Sequence, residues 1–137
     1  MDIFTRIKEL GFLSGQYIVV GSGILAAKRI RETNDLDIVV TPELFEKCKS
    51  EGWEVHSWVK EGIPGKDWLR KGDVEVYSQL SRKTGGISAR ELLENAEVID
   101  EVPFITLECL IDFKREYGRP KDFEDIRLIE EYLQTAA

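Results

Sequence analysis

Two segments, Tyr17-Ile18-Val19-Val20-Gly21-Ser22-Gly23 and Asp35-Leu36-Asp37-Ile38-Val39-Val40, decide the fold. The first is a short apolar run that ends on two glycines flanking a serine, the pattern of a buried strand running into a turn and a helix. In the second, alternation places Asp35 and Asp37 on one strand face and Leu36 and Ile38 on the other. Glycines let a ligand approach the backbone, and the free amides and positive dipole end of the following helix favour a phosphate. Capping of that helix by Ser22 explains the same residues without a ligand. If Gly21 and Ser22 are to meet the two aspartates, the second strand must run antiparallel to the first, so that its start lies beside the first strand's end. The expected architecture is therefore α/β (α+β), with a mixed, partly antiparallel sheet flanked by helices.

A rival pattern shares these residues. Gly21 to Ala26 also spells Gly-x-Gly-x-x-Ala after a strand, as in dinucleotide-binding units. Those units are parallel, with the ribose-binding acid at the carboxyl end of the second strand, whereas Asp35 and Asp37 stand at the beginning of theirs. Glu43 is nearer the required distance but follows Pro42 in the first turn of a helix.

Outward from this centre, Asp2 to Leu10 reads as a helix with Ile3, Phe4, Ile7 and Leu10 on one side. A helix is expected from Ile24 to about Arg31, and another over Glu43 to Glu51, capped by Thr41 and closed by Gly52. Strands are expected over Trp53 to Val59, around Trp68-Leu69-Arg70 and over Asp73 to Tyr77. A tight Gly72-Asp73 turn makes the last two an antiparallel hairpin. Ser88 and Glu91 have capping-box spacing for a short helix. Leu107 to Tyr117 forms a helix ended by Gly118, and Pro120 to about Leu133 a final one, giving a C-terminal helical pair.

The chain's 137 residues make one domain, 1–137. With 42% hydrophobic and 33% charged residues it supports both a core and a charged surface. Nineteen Lys and Arg against 26 Asp and Glu give a net charge of −7, which excludes a broadly basic nucleic-acid coat but not a local basic patch. No apolar run approaches a membrane span, and Met1-Asp2-Ile3-Phe4-Thr5-Arg6 lacks the order of a signal peptide. A soluble, cytoplasmic protein with no membrane partner is expected. Cys48 and Cys109 lie far apart and outside any Cys-x-x-Cys spacing, as reduced structural thiols do.

Paired carboxylates on one strand face suit hard divalent cations, and magnesium is the cofactor expected here, held by a few carboxylates together with substrate phosphates. Glu75, between Val74 and Val76, is the third carboxylate expected beside Asp35 and Asp37; Asp73 shares its face and is the alternative. Lys114 falls on the apolar stripe of Leu107, Leu110 and Ile111, where it either snorkels at the helix end or meets a phosphate or an acid. Lys114 or Lys121 is expected to pair with Asp122 or with a ligand. Lys28, Arg29 and Arg31 form one basic island and Lys114, Arg115, Arg119 and Lys121 a second, which together would make a cationic rim. His56 reads as a surface or packing residue, and Trp53, Trp58 and Trp68 as core, with base stacking as the alternative.

Gly21-Ser22, a helix and then Asp35-Leu36-Asp37 on a strand resembles the signature of the nucleotidyltransferase superfamily that includes DNA polymerase beta and the small antibiotic nucleotidyltransferases. Leu107 to Lys114 and Gly118 to Ile126 look like the closing helices of prokaryotic relatives, abortive-infection toxin families among them. The resemblance implies that Gly21 and Ser22 contact nucleotide phosphates, that Asp35 and Asp37 hold metal, and that Glu75 matches the third metal position. Many relatives have Gly-Gly in place of Gly-Ser and Asp in place of Glu75, and Ile24-Leu25 lacks the arginine of antitoxin members.

The expected function is transfer of a nucleoside monophosphate from a triphosphate to a hydroxyl of transfer RNA, a protein or a small molecule, with release of pyrophosphate. Asp35, Asp37 and Glu75 would be catalytic, and Gly21, Ser22, Lys114 and Lys121 would bind the nucleotide. A catalytically weak partner or regulatory protein of a toxin-antitoxin or defence system is the alternative, and a dinucleotide-binding module the third. So short a chain leaves acceptor recognition to a shallow cleft, a second copy or a partner protein.

Overall fold

The computed structural model describes residues 2–57, 67–82 and 85–136. Local chemistry starts most of the helices. The Asp2 side chain accepts from Thr5 N and opens α1 (Ile3–Glu9). Thr41 accepts from Leu44 N and, with Pro42 in the first turn, opens α3 (Pro42–Ser50). Ser88 caps α4 (Ala89–Leu93), and Thr106 caps α5 (Leu107–Tyr117), which Gly118 ends in the left-handed conformation. The last helix, α6 (Pro120–Ala136), runs three residues past the expected Leu133.

The strands are β1 (Tyr17–Val20), β2 (Leu36–Val40), β3 (Glu54–Ser57), β4 (Asp67–Lys71), β5 (Val74–Tyr77), β6 (Leu80–Arg82), β7 (Gly85–Ile87), β8 (Glu97–Ile99) and β9 (Val102–Phe104). Among the described residues, seven of them form one mixed sheet in the order β3-β4-β5-β2-β1-β9-β8, and β6 and β7 pair separately. The sheet is mixed as expected: β1 and β2 are antiparallel, β2 and β5 parallel, and β3, β4 and β5 successively antiparallel. Gly21-Ser22-Gly23 therefore stands outside the parallel unit that a dinucleotide fingerprint requires. Trp58 and Val59, at the end of the expected third strand, lie outside the described residues.

Register sorts the sheet into two faces. Leu36, Ile38, Leu69 and Val76 are fully buried on one, each contributing about 1.5–3 kcal/mol by leaving water. The opposite face carries Val20, Asp37, Glu75, Arg70, Tyr77, Trp68 and His56, because Val20 pairs with Asp37, Asp37 with Glu75, Glu75 with Arg70, Tyr77 with Trp68 and Trp68 with His56.

The helix after β1 differs from expectation. α2 spans only Gly23–Ala27. Arg29 adopts a positive φ of 59°, and the amides of Ile30 and Arg31 both turn back to the Leu25 carbonyl. This early stop redirects the chain and carries Arg31 across to α6, where it meets Asp125.

Strands β6 to β9 were not foreseen. Each is three residues long, too short for alternation to register against the surrounding turns.

Candidate functional site

β1, β2 and β5 set Asp37 beside Glu75. Val20 at the end of β1 is level with Asp37, which is level with Glu75. Asp35 sits just before β2 and is exposed, while Asp37 is half-buried; both line a cleft of about 820 Å³, although Glu75 is not among the residues that line it. Asp73 is in the turn before β5, where its carbonyl accepts from Leu36 N, so the register favours Glu75 as the neighbour of Asp37. Burial, the charge of Glu75 with a hydrogen bond between the two carboxyls, and the charge of Asp35 push the Asp37 carboxyl up to about 7, against a smaller pull from Lys114. Glu75 is fixed from two sides, accepting a 2.5 Å hydrogen bond from the Tyr77 hydroxyl and lying 3.7 Å from an Arg70 guanidinium nitrogen.

These residues suit a hard divalent cation in three respects. Asp37 Oδ1 is buried and accepts no hydrogen bond among the described residues, which is costly unless something positive meets it. Asp35 and Glu75 both repel Asp37, a repulsion that a cation would relieve. Magnesium commonly takes only one or two carboxylates, the remainder coming from water and phosphate oxygens. Among the described residues no three His, Cys, Asp or Glu side chains already converge on one point.

Gly21 and Gly23 have different tasks. Gly21 has φ +63°, and a Cβ there would stand 3.0 Å from Asp37 Oδ2, so only glycine leaves the carboxylate room. A Cβ on Gly23 would collide with Val19 Cγ1, so this glycine serves the packing of α2 on β1. Ser22 is the N-cap of α2 but makes no side-chain cap bond. Its hydroxyl lies 2.9 Å from that of Thr33, which in turn donates to the Asp35 carbonyl at 3.2 Å. Capping by Ser22 is thus replaced by a hydroxyl pair that ties the turn after β1 to the approach to β2. A five-residue helix has little dipole to offer a phosphate, so what remains for an anion here is the open backbone at Gly21 and the Ser22 hydroxyl.

The opposite wall comes from the C-terminal helices. Lys114 does not snorkel: it is 7% exposed, with Nζ 2.8 Å from Asp125 and 3.5 Å from Asp122. Arg31 makes a two-pronged contact with Asp125 at 2.7 and 2.8 Å, and Arg119 holds Asp122 through its side chain and its backbone amide. Burial alone would raise both carboxyls. Hydrogen bonds from Arg31 and Lys114 outweigh it at Asp125, and those from Arg119 with the charge of Lys114 outweigh it at Asp122, so both stand below the usual range. Arg31, Lys114, Arg119 and Lys121 all line the cleft. The two basic islands meet there through Arg31 and Lys114, which share Asp125. Lys121 makes no ion pair among the described residues. Lys28, Arg29 and Arg115 of the expected rim do not line the cleft: Lys28 turns to Glu97 at 2.5 Å and Arg115 to Glu130 at 3.7 Å.

Sequence reasoning missed Asp125, Tyr77, Gln79, Thr33 and Tyr117, all of which line the cleft. Two had a readable signal. Asp125 lies one turn from Asp122 on the face that carries Ile126 and Ile129, where an acid needs a partner, and Tyr77 shares the Glu75 face by alternation. His56 has a partner that spacing could have revealed: Glu54, two residues back on the same face, lies 2.6 Å from Nε2. Its ring stacks on Trp68 at 4.3 Å, while Trp53 is buried near Phe12, as a core residue should be. Neither Cys48 nor Cys109 forms a disulfide among the described residues, and no described helix is long and apolar enough to cross a membrane. Comparison of the chain with protein families, with curated proteins and with solved structures finds no match.

Proposed function

We propose that the protein is a metal-dependent nucleotidyltransferase that transfers a nucleoside monophosphate from a triphosphate to an acceptor hydroxyl on RNA, a protein or a small molecule. The observation that carries this reading is the buried Asp37 Oδ1, without a hydrogen bond among the described residues, beside Glu75 and the open backbone of Gly21, facing a wall of Arg31, Lys114, Arg119 and Lys121. Asp37, Glu75 and Asp35 would hold magnesium, which when bound supplies charge neutralisation at the reacting phosphate. Gly21 and Ser22 would bind the phosphates from the sheet side, and Lys114 and Lys121 from the helix side.

In the transfer the acceptor oxygen bonds to the α-phosphorus, the bond to the bridging oxygen breaks, and pyrophosphate leaves with the electron pair. The acceptor proton goes to Glu75, whose carboxylate Tyr77 and Arg70 hold in place.

The test is incubation with magnesium and each α-labelled triphosphate in the presence, in turn, of total RNA, cell protein and small metabolites. Label is expected in one pool and is expected to fall at least about a hundredfold in Asp35→Ala and Asp37→Ala, roughly 2.7 kcal/mol of barrier. Unchanged labelling in either variant overturns the assignment.

A second reading, a catalytically weak binding or regulatory protein of this fold, is favoured by one feature: Arg31 and Lys114 already have carboxylate partners. It predicts binding of magnesium and triphosphate with no label in any pool.

A further inference from the structure

Two tyrosines line the cleft; Tyr77 enters the chemistry above only through its hydroxyl on Glu75, and Tyr117 has no part in it. Tyr117, at the end of α5, is 45% exposed although its ring is large and apolar, so the core does not explain it. The Arg119 guanidinium lies over one face of its ring at 5.4 Å, and Phe113 flanks it at 6.3 Å. Tyr77 stands on the sheet side, its hydroxyl anchored on Glu75 and its ring stacked against Trp68 at 6.0 Å and 24°, with Trp68 stacked in turn on His56. Both rings line the same cleft. Each ring is thus braced from one side and belongs to a different wall.

From this arrangement we infer that Tyr117 and Tyr77 form the two sides of a slot that takes the nucleobase of the triphosphate by stacking. The inference rests on the nucleotidyltransferase reading and deepens it, since it divides the cleft into a phosphate part at Gly21, Ser22, Lys114 and Lys121 and a base part at the tyrosines. Stacking is the suitable chemistry because every base has a π face, and a braced aromatic ring loses little freedom when it is covered. Tyr117 is the more informative residue, because Tyr77 also holds Glu75 and its loss would disturb both parts.

The experiment is calorimetric titration of the full chain, in magnesium, with ATP and separately with inorganic tripolyphosphate, which has the phosphates and no base. Wild-type protein is expected to bind ATP more tightly than tripolyphosphate. Tyr117→Ala should weaken ATP about five- to a hundredfold, the range of one lost base–aromatic stack, and leave tripolyphosphate within twofold. Tyr117→Phe, which keeps the ring, should hold ATP within about twofold. Equal binding of the two ligands by the wild type, or an equal loss of both in Tyr117→Ala, overturns the slot while leaving the phosphate site standing. If neither ligand binds the wild type, the nucleotidyltransferase reading itself fails, and the slot with it. Urea unfolding of each variant separates a local effect from a folding defect: Tyr117→Leu, of similar bulk without a π face, should fold like the wild type and bind ATP like Tyr117→Ala. Wild-type ATP affinity in Tyr117→Leu would likewise overturn the slot.

Discussion

Asp37→Asn should make the metal-free protein more stable, and by an amount that grows with pH. The Asp37 carboxyl titrates near 3.8 in an unfolded chain and is pushed up to about 7 in the fold by burial and by Glu75 and Asp35. Below about pH 4 the group is neutral in both states and contributes nothing. As pH rises from about 4 to 7, the unfolded chain releases this proton while the folded chain keeps it, so the unfolded state gains about 1.4 kcal/mol per pH unit. Above about 7 the penalty is complete, with a ceiling of roughly 4 kcal/mol. Asn occupies the same space with no charge and escapes the whole term.

The assay is urea unfolding followed by tryptophan fluorescence in EDTA, with wild type and Asp37→Asn compared at pH 5 and pH 8. The stability gap in favour of Asn should widen by about 1–3 kcal/mol between the two. A gap that stays constant with pH, or a wild type more stable than the variant at pH 8, would refute the electrostatic account of the site. Magnesium gives the complementary measurement. At ten times its dissociation constant it should stabilise wild type at pH 8 by about 1.4 kcal/mol, and Asp37→Asn by much less.

Other perturbations read other parts of the structure. Gly21→Ala forces a side chain into a φ of +63° beside Asp37 Oδ2 and should cost about 1–2 kcal/mol in urea unfolding, together with magnesium stabilisation. Gly23→Ala meets Val19 and should cost about 1–3 kcal/mol by overpacking α2 on β1, with magnesium stabilisation retained. Asp125→Ala leaves Arg31 and Lys114 without their shared carboxylate and should cost about 3–5 kcal/mol; Lys114→Met in the same chain should return part of it. Because Asp122 and Asp125 titrate below the usual carboxyl range, their contribution is present above about pH 4 and is lost as pH falls through their lowered values. An acid unfolding transition moved to higher pH in Asp125→Asn checks this.

What could be read in advance was local and periodic. Tyr17–Val20, Leu36–Val40 and Leu107–Tyr117 have the expected boundaries because an apolar run or stripe, and for the helix a cap and Gly118 as well, all agree. The antiparallel β1–β2 pair was legible from chemistry: the site needs the end of one strand beside the start of the next. The end of α2 was not, because its stop is a left-handed arginine with no glycine to mark it. Lys114 was recognisable as a lysine on an apolar stripe, yet its main partner Asp125 could be named only once α5 and α6 were packed together. Tyr117 carried no sequence signal, since an aromatic at a helix end reads as ordinary edge packing.

The charges lining the cleft bear on the order of binding. Arg31, Lys114, Arg119 and Lys121 face Glu32, Asp35, Asp37, Asp122 and Asp125, so the lining is close to neutral and slightly acidic, on a chain whose net charge is −7. Such a cleft has no strong field with which to draw in a bare triphosphate. Its signs are segregated, however. Asp35 and Asp37 lie on the sheet side, and on the helix side two carboxylates are fully committed to three cations. A ligand that brings its own cation meets attraction on both sides, satisfying Asp37 Oδ1 with the metal and the Lys121 side with phosphate. The triphosphate and magnesium should therefore bind cooperatively, each raising the other's affinity by the same factor. Titrating ATP with and without magnesium, and magnesium with and without ATP, measures that factor in both directions. Independent binding would mean that the carboxylates and the cationic wall do not share one ligand.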